Sequence, residues 1–356
     1  MRKLSLRAAT IWALAGLLLA ACNNPSPTPI LPTAAPATPI ATQGAAQATA
    51  FAPATAAAST PTPGARPLTS PLPTPTSVPV NVQGRLAFAS DETGLFQISV
   101  ATFPGGAIKT LTSSPSPGDA EPHWSPDGAF IVFNSGRVAA EGYGVFRMAP
   151  DGSNQTKVIS IAGRRSLNFA PQVSPDGKKL LFHSNRDGNF EIYVSNIDGS
   201  APRNLTNDAG NDITPAWSRT GDLIAWSANR IGDGYQVYVA KADGSGIRQI
   251  VSQPSSNTAR PSFSPDGKRL AFSIQAFNGT PAKLAVVNID GTGFRILDLG
   301  GGEFQMGDWI DNDTLVYSWR QNDLDKFKLV ASRLDGTNRQ VLVSVGGDAL
   351  YPSWTK

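Results

Sequence analysis

The stretch Pro122-His123-Trp124-Ser125-Pro126-Asp127-Gly128 decides the fold, because versions of it recur along the chain. The other copies, some of them degenerate, lie at 171–177, 215–218, 261–267, 308–309 and 352–354. The bulky apolar residue of the motif falls at positions 124, 173, 217, 263, 309 and 354, a period of roughly 45 residues. Self-similarity at such a period is typical of a repeat architecture with one supersecondary unit per copy.

Each repeat contains four short segments that are predicted to be β-strands. After S-P-D-G comes an apolar run such as Leu180-Leu181-Phe182, and after a polar loop comes a third run such as Ile192-Tyr193-Val194. A D-G turn and a fourth run follow, as in Asp198-Gly199 and Arg203-Asn204-Leu205-Thr206. Short β-branched and aromatic runs between turn residues are typical of strands, and Pro, Asp and Gly suit the tight turns between them. Four antiparallel strands in about 45 residues indicate one blade of a β-propeller.

The distribution of the strands predicts the number of blades. The second, third and fourth strands each occur six times, and so does the first strand, but the set of first strands is shifted toward the C-terminus. The blade of residues 85–112 therefore lacks a first strand of its own, and we expect Tyr351-Pro352-Ser353-Trp354 to supply it. Val80 and Val82 compete for this place but lack the Pro-x-Trp pattern. The sequence thus predicts an all-β fold, a six-bladed β-propeller whose first blade is closed by the C-terminal strand, with no open sheet edge between its ends.

These repeats resemble those of the TolB-type propeller, a family of WD-like repeats that also occurs beside the hydrolase domain of prolyl-oligopeptidase-type peptidases. The resemblance covers about residues 84–356. It implies a propeller that docks other envelope proteins through its loop face. A linker stands where TolB proteins have an N-terminal α/β domain, and with this departure the sequence leaves open whether a role in the Tol-Pal system applies.

Residues 1–22 have the organisation of a bacterial lipoprotein signal peptide. Basic residues precede an apolar stretch over 8–21, which is shorter than the about 20 residues of a membrane-spanning helix. The stretch ends in Leu19-Ala20-Ala21-Cys22, which resembles the lipobox, whose cysteine is acylated. The resemblance implies lipidation of Cys22, the only cysteine of the chain, and membrane anchoring through its acyl chains. A chance cysteine in an ordinary signal peptide is the alternative.

Residues 23–80 are predicted to be a disordered stalk, followed by the propeller at 81–356. The stalk holds about half of the 29 prolines of the chain, with many Thr, Ala and Ser residues and a single charge at Arg66. Such a composition cannot bury a core and favours extended conformations. All 27 acidic residues and most of the 30 basic residues follow the stalk, so the propeller is nearly neutral. Because nucleic-acid binding requires a clustered basic face, we expect no nucleic-acid partner.

The propeller contains few residues suited to catalysis. His123 and His183 are its two histidines, and neither has the spacing of a metal ligand to another His or to a Cys. A G-x-S-x-G nucleophile elbow and the glycine-rich loops of nucleotide sites do not occur. We therefore predict a monomeric propeller that is not an enzyme and needs no cofactor.

Short polar residues at the start of the first strands form the first candidate site, because first strands line the channel of a propeller. This set is Asp119, Asn168, Asp212, Thr258 and Asp348. At the channel mouth their oxygen atoms would bind a cationic group of a partner, or a hard cation such as Ca²⁺ with Asp119 and Asp212 as ligands. Capping of the adjacent turns is the alternative.

The loops between second and third strands form the second candidate site. They vary in sequence, whereas the S-P-D-G and D-G turns on the opposite face are uniform. This set is Arg186, Asp187, Arg230, Asp233 and Arg320. Variable loops on a rigid scaffold often bind ligands, and solvated loop tips are the alternative.

These features together predict a secreted, lipid-anchored binding protein at the bacterial cell membrane or cell surface. Its partner is a protein or cell-envelope component that binds the variable loop face. The alternative is a metal-dependent hydrolase or lactonase that acts at the mouth of the channel.

Overall fold

The computed structural model of the protein describes residues 82–114, 118–138, 141–159, 166–232 and 234–356. Its regular elements are β-strands, which confirms the prediction of an all-β fold. Within these ranges, no helix has the length and hydrophobicity needed to span a bilayer. The predicted signal peptide with Cys22, the predicted stalk and Asp233 lie outside the described residues.

The strands follow one another in the order that the repeats predict. The chain begins with β1 (Gly84–Ser90), β2 (Gln97–Phe103) and β3 (Ala107–Thr110). Next come β4 (Asp119–Trp124), β5 (Ile131–Ser135), β6 (Gly142–Met148) and β7 (Thr156–Ile159). They are followed by β8 (Ser166–Val173), β9 (Lys179–Ser184), β10 (Glu191–Asn196) and β11 (Arg203–Asn204). The next four are β12 (Asp212–Trp217), β13 (Leu223–Ala228), β14 (Gln236–Lys241) and β15 (Arg248–Gln249). Then come β16 (Ser256–Phe263), β17 (Arg269–Ala276), β18 (Lys283–Asn288) and β19 (Arg295–Ile296). The last are β20 (Glu303–Trp309), β21 (Thr314–Arg320), β22 (Lys328–Arg333), β23 (Gln340–Val343) and β24 (Ala349–Thr355).

Hydrogen bonding arranges these strands in groups of four, each named here by its first strand. The β12, β16 and β20 groups are separate sheets of four strands in sequence order. The β4 and β8 groups share one eight-stranded sheet, because β6 and β8 form a short parallel pairing at Gly142–Ser166 and Tyr143–Leu167. The β24 group contains β24, β1, β2 and β3 in that order.

The C-terminal strand completes the sheet that the first described strand begins. β24 runs antiparallel to β1, with Leu86 opposite Trp354 and Ala87 opposite Ser353. Trp354 is buried in a cluster with Leu86 and Phe88. The predicted pairing of the two ends of the propeller is therefore confirmed, and Val82 does not take this place in the sheet.

The first strands of the groups form a closed ring. β4 contacts β8, β8 contacts β12, β12 contacts β16, and β16 contacts β20. β20 contacts β24, which in turn contacts β4. The core lies between neighbouring groups, as where Leu181 and Ile192 of the β8 group pack with Trp226 of the β12 group. Burying each such side chain stabilises the fold by about 1.5–3 kcal/mol.

The S-P-D-G segments form tight turns whose hydrogen bonds explain their composition. In the turn after β4, Ser125 Oγ donates to Asp127 Oδ1 at 2.6 Å, and the Gly128 amide donates to the Ser125 carbonyl at 2.9 Å. Gly128 has a φ of 65°, which glycine adopts without steric cost. The same bond joins Ser264 and Asp266 in the turn after β16. The repeated Ser, Asp and Gly are therefore parts of the scaffold.

Candidate functional site

The first strands surround a cavity of about 670 Å³. Its lining comes from all six of these strands and includes Gln172, Ser262 and Asp308. The cavity extends to the S-P-D-G turns, with Pro126 and Pro265 among its lining residues, and the residues at the starts of the first strands do not line it. It therefore belongs to the end of the channel that carries the uniform turns, whereas the sequence suggested a site at the opposite end.

A β-bulge in the first strands turns one residue of each strand toward this cavity. The residue directly before the repeat proline has a positive φ in five of them: Glu121 at 53°, Ala170 at 46°, Thr214 at 51°, Arg260 at 57° and Tyr351 at 57°. The register of each strand pairing shifts at this place. A residue other than glycine in this conformation costs on the order of 1–3 kcal/mol and is common at ligand sites. All five residues line the cavity, and we call them the bulge ring.

Two members of the bulge ring form an ion pair across the cavity. Arg260 Nη2 lies 2.5 Å from Glu121 Oε1, although β16 and β4 are not neighbours in the ring of first strands. Glu121 Oε2 also accepts a hydrogen bond from the Ala170 amide at 2.8 Å. The Arg260 guanidinium stacks on the ring of Tyr351, 4.2 Å from its centroid. Burial by itself would raise the pKa of Glu121, but the charge of Arg260 and these hydrogen bonds hold that pKa below its usual value. Glu121 is therefore a charged carboxylate inside the channel.

A second group of polar side chains lines the cavity nearer the S-P-D-G turns. Asp308 Oδ2 accepts a hydrogen bond from the Trp354 amide at 3.1 Å, and Arg219 Nη2 lies 3.6 Å from Asp308 Oδ1. His123 lines the cavity beside them. Burial lowers the pKa of His123 to about 4, although the negative charge of the nearby Asp308 by itself would raise this pKa. His123 is thus neutral near pH 7, and the cavity offers both charged and neutral hydrogen-bonding groups.

The structure brings the two sequence-predicted sets of residues together, because arginines of the loops turn back to the starts of the first strands. Arg230 Nε donates to Asp212 Oδ1 at 3.0 Å in a two-pronged ion pair. Arg186 Nη2 donates to Asn168 Oδ1 at 3.1 Å. The partners are 18 residues apart in both pairs. This recurring spacing is visible in the sequence and links the two predicted sets of residues.

The same arrangement occurs in two further groups of strands. Asp119 Oδ2 accepts hydrogen bonds from Arg137 Nη2 and Ser114 Oγ, both at 2.8 Å. Arg320 Nε donates to Glu303 Oε2 at 2.7 Å. Breaking a buried ion pair by removing one partner costs about 3–5 kcal/mol. Asp119, like Asp212, has no exposed surface, and its partner holds it inside the sheet rather than at the rim of the channel.

The remaining predicted residues are also engaged in hydrogen bonds. Asp348 Oδ1 accepts the Phe327 amide at 2.8 Å, and Thr258 Oγ1 donates to the Tyr235 carbonyl at 3.1 Å. Asp187 accepts a hydrogen bond from the Tyr193 hydroxyl. Asp348 and Thr258 thus contact segments 21 and 23 residues away in the chain. Within the described ranges, no group of three or more His, Cys, Asp or Glu residues is arranged to hold a metal ion.

Comparison with known proteins places this fold in a family. The TolB beta propeller domain matches residues 152–356. The chain belongs to this family. The TolB-like propeller predicted from the repeats is therefore confirmed.

Relatives in this family share the propeller but are longer than the region they share with this chain. The TolB homolog of Chlorobium luteolum is 30% identical over 178 residues, which cover 49% of this chain and 36% of that protein. The Tol-Pal system protein TolB of Francisella tularensis is 25% identical over 198 residues, covering 55% of this chain and 44% of that protein. The crystal structure of TolB from Acinetobacter baumannii matches with a TM-score of 0.66 and 24% identity over 78% of this chain and 67% of that one. The chain thus spans less than half the length of these two sequence relatives, and the structural match shows a shared fold.

The bulge ring is the part of the candidate site that sequence reasoning missed. Its members, Glu121 and Arg260 among them, stand directly before the repeat proline, a position visible in the sequence. Their residue types differ from repeat to repeat while the flanking motif recurs. A position that varies inside a recurring motif indicates a role other than maintaining the fold, and this feature could have identified the bulge ring from the sequence.

Proposed function

We propose that this TolB-like propeller is an extracytoplasmic, lipid-anchored binding protein that holds a segment of a protein partner in its central cavity. The observation that carries the proposal is the bulge ring. Glu121, Ala170, Thr214, Arg260 and Tyr351 share one strained backbone conformation, yet each is a different residue type. A fold that needed only the conformation would favour glycine there. A strained backbone conformation that recurs in non-glycine residues at one place indicates a functional site.

The size and chemistry of the cavity suit part of a protein chain. Its volume of about 670 Å³ lies within the range of about 300–1,000 Å³ that is typical of ligand pockets. Its walls combine the stacked Arg260 and Tyr351 with the hydrogen-bonding groups of Gln172 and Ser262. Mixed charged, aromatic and amide groups suit a peptide segment better than a purely apolar ligand.

The class of partner follows from the relatives. Proteins named TolB, including a Tol-Pal system protein, share this propeller at 25–30% identity. We infer that the partner is another protein of the cell envelope. A metal-dependent hydrolase is less well supported, because Arg137 and Arg230 already engage the carboxylates of Asp119 and Asp212.

The proposal includes the complete architecture of the chain. Each group of four strands corresponds to one blade, so the ring has six blades, of which the β4 and β8 blades are joined only by a short parallel pairing. Lipidation of Cys22 is supported by the lipobox-like Leu19-Ala20-Ala21-Cys22. Residues 23–80 then connect the anchor to the propeller.

Photo-crosslinking from within the cavity tests this function. A photoreactive phenylalanine derivative replaces Ser262, or in a second protein Gln172, in the full-length chain expressed in its native host. Both side chains line the cavity, so each should yield the same adduct with one envelope protein. The control carries the probe at Thr337, in the exposed turn between β22 and β23.

Filling the cavity provides the second arm of the experiment. Ser262→Trp should abolish the adduct formed from position 172, because the indole would occupy the space of the bound segment. Absence of an adduct from both cavity positions, or an equal adduct from Thr337, would overturn the proposal.

A further inference from the structure

Loops at the other end of the channel expose large apolar side chains in four consecutive groups. These loops join second to third strands, at the end of the strands opposite the S-P-D-G turns. Leu324 is 96% exposed and Ile231 is 73% exposed, whereas most large apolar residues of the propeller are buried. The exposed apolar residues of these loops are Leu95, Ile231, Phe277 and Leu324, and we call them the apolar arc. They belong to the β24, β12, β16 and β20 groups, which follow one another around the ring.

Contacts between neighbouring loops hold the apolar arc together. A Cβ atom at Gly234 would lie 2.9 Å from Phe277 Cζ, so the Phe277 ring rests on the loop that carries Ile231. Lys326, two residues after Leu324, lies 3.8 Å from Asp91 Oδ2 in the loop that carries Leu95. The apolar side chains are therefore presented by loops that brace one another.

The charged residues beside the apolar arc are mainly acidic. Asp323 and Asp325 flank Leu324, and Asp91 and Glu92 precede Leu95. The Asp323 side chain is 72% exposed. Lys326 is the basic residue of these two loops in the described part of the chain. Its ammonium group lies between the carboxylates of Asp91 and Asp348, which balance its charge.

The arginines of the adjoining loops offset only part of this acidity. Arg230 turns inward and pairs with Asp212. Arg320 pairs mainly with the buried Glu303, although its Nη2 also lies 3.3 Å from Asp323 Oδ1. Only 12% of the Arg230 side chain and 8% of the Arg320 side chain is exposed. The sequence predicts a loop face that carries both arginines and aspartates. The folded protein instead presents apolar loop tips beside negative charge. An anionic bilayer surface attracts basic segments and is a poor match for this face.

We propose that the apolar arc and its acidic neighbours form a second docking surface, which binds a protein segment carrying apolar side chains flanked by Lys or Arg. An amphipathic helix with a basic border has this chemistry. The surface lies at the opposite end of the strands from the cavity and does not depend on what the cavity binds. A propeller with both surfaces joins two partners.

Binding of a defined peptide to the full-length protein tests this surface. The probe is a helical peptide of Leu and Lys with one apolar face, and the matched peptide carries Glu in place of Lys. We expect the Leu/Lys peptide to bind, with an affinity that falls as salt is added, and the Leu/Glu peptide not to bind. Leu324→Ser should weaken binding about tenfold, because Leu324 is the most exposed apolar residue of the arc, and Asp323→Lys with Asp325→Lys should weaken it further.

Matched variants separate docking from a change in stability. Ile296→Ser removes an apolar side chain that is 53% exposed on β19, outside the arc, and should leave peptide affinity unchanged. Leu324 and Ile296 are both exposed, so the unfolding temperatures of Leu324→Ser and Ile296→Ser should stay the same. Equal binding of the two peptides, or equal loss in Leu324→Ser and Ile296→Ser, would overturn the proposal. So would binding of the Cys22→Ala protein to phosphatidylglycerol vesicles that Leu324→Ser abolishes, since the arc would then be a membrane contact.

Discussion

Removal of residues 351–356 should unfold the propeller, because this segment is most of β24 and closes the ring of first strands. Trp354 is only 6% exposed and packs with Leu86 and Phe88. The Ser353 Oγ accepts a hydrogen bond from the buried Trp124 amide at 3.2 Å, which links β24 to β4. The Trp354 amide donates to Asp308 Oδ2 at 3.1 Å, which links β24 to β20.

The contacts of β24 allow the destabilisation to be estimated. Truncation of a buried tryptophan costs about 3–5 kcal/mol. Leaving the Trp124 amide and the Asp308 carboxylate without these partners costs about 1–3 kcal/mol each. The lost ladder with β1 adds about 1 kcal/mol per hydrogen bond. Even without the ladder these contributions come to about 5–11 kcal/mol, which is comparable with the about 5–15 kcal/mol by which a folded domain is stable.

Equilibrium denaturation of the full-length protein measures this effect. The protein without residues 351–356 should show no cooperative transition, and Trp354→Ala should lower the melting temperature by roughly 6–20 °C. Deletion of the exposed Lys356 alone is the control and should have no effect. An unchanged transition after removal of 351–356 would show that β24 does not close the ring.

Three further predictions concern anchoring, pH and metal. Cys22→Ala should move the protein from the membrane fraction to the soluble fraction, and unaltered fractionation would contradict lipidation. Burial lowers the pKa of His183 to about 4, so the unfolded chain binds this proton more readily, and the free energy of unfolding should fall by about 3 kcal/mol as the pH drops from about 6.5 to about 4. His183→Phe should remove that part of the pH dependence in denaturation curves, and an unchanged curve would contradict it. Asp212→Asn should destabilise the protein by about 3 kcal/mol because Arg230 loses its charged partner, equally with Ca²⁺ or with a chelator, whereas a stabilisation by Ca²⁺ that the variant lacks would indicate a metal site.

The sequence by itself determined the scaffold of this protein. The motif around Trp124 recurs because each unit needs the same turn and the same buried residue, and these requirements are local. Even the place of the C-terminal strand followed from the sequence, since the shifted set of first strands leaves one gap and Tyr351-Pro352-Ser353-Trp354 fills it. Strand periodicity and turn chemistry act over a few residues, so they can be recognised without knowledge of the tertiary structure.

Only the tertiary structure decided which polar residues line the cavity. The sequence assigns Arg230 and Asp212 to two separate sites, whereas the fold pairs them in the interior of one sheet. Glu121 and Arg260 are 139 residues apart, and closure of the ring makes them partners across the cavity. The physical reason is that the direction of a side chain depends on a bulge and on the strand it faces, and both are set by pairing between distant parts of the chain. The repeats therefore specify the ring, while its closure specifies the surfaces available for binding.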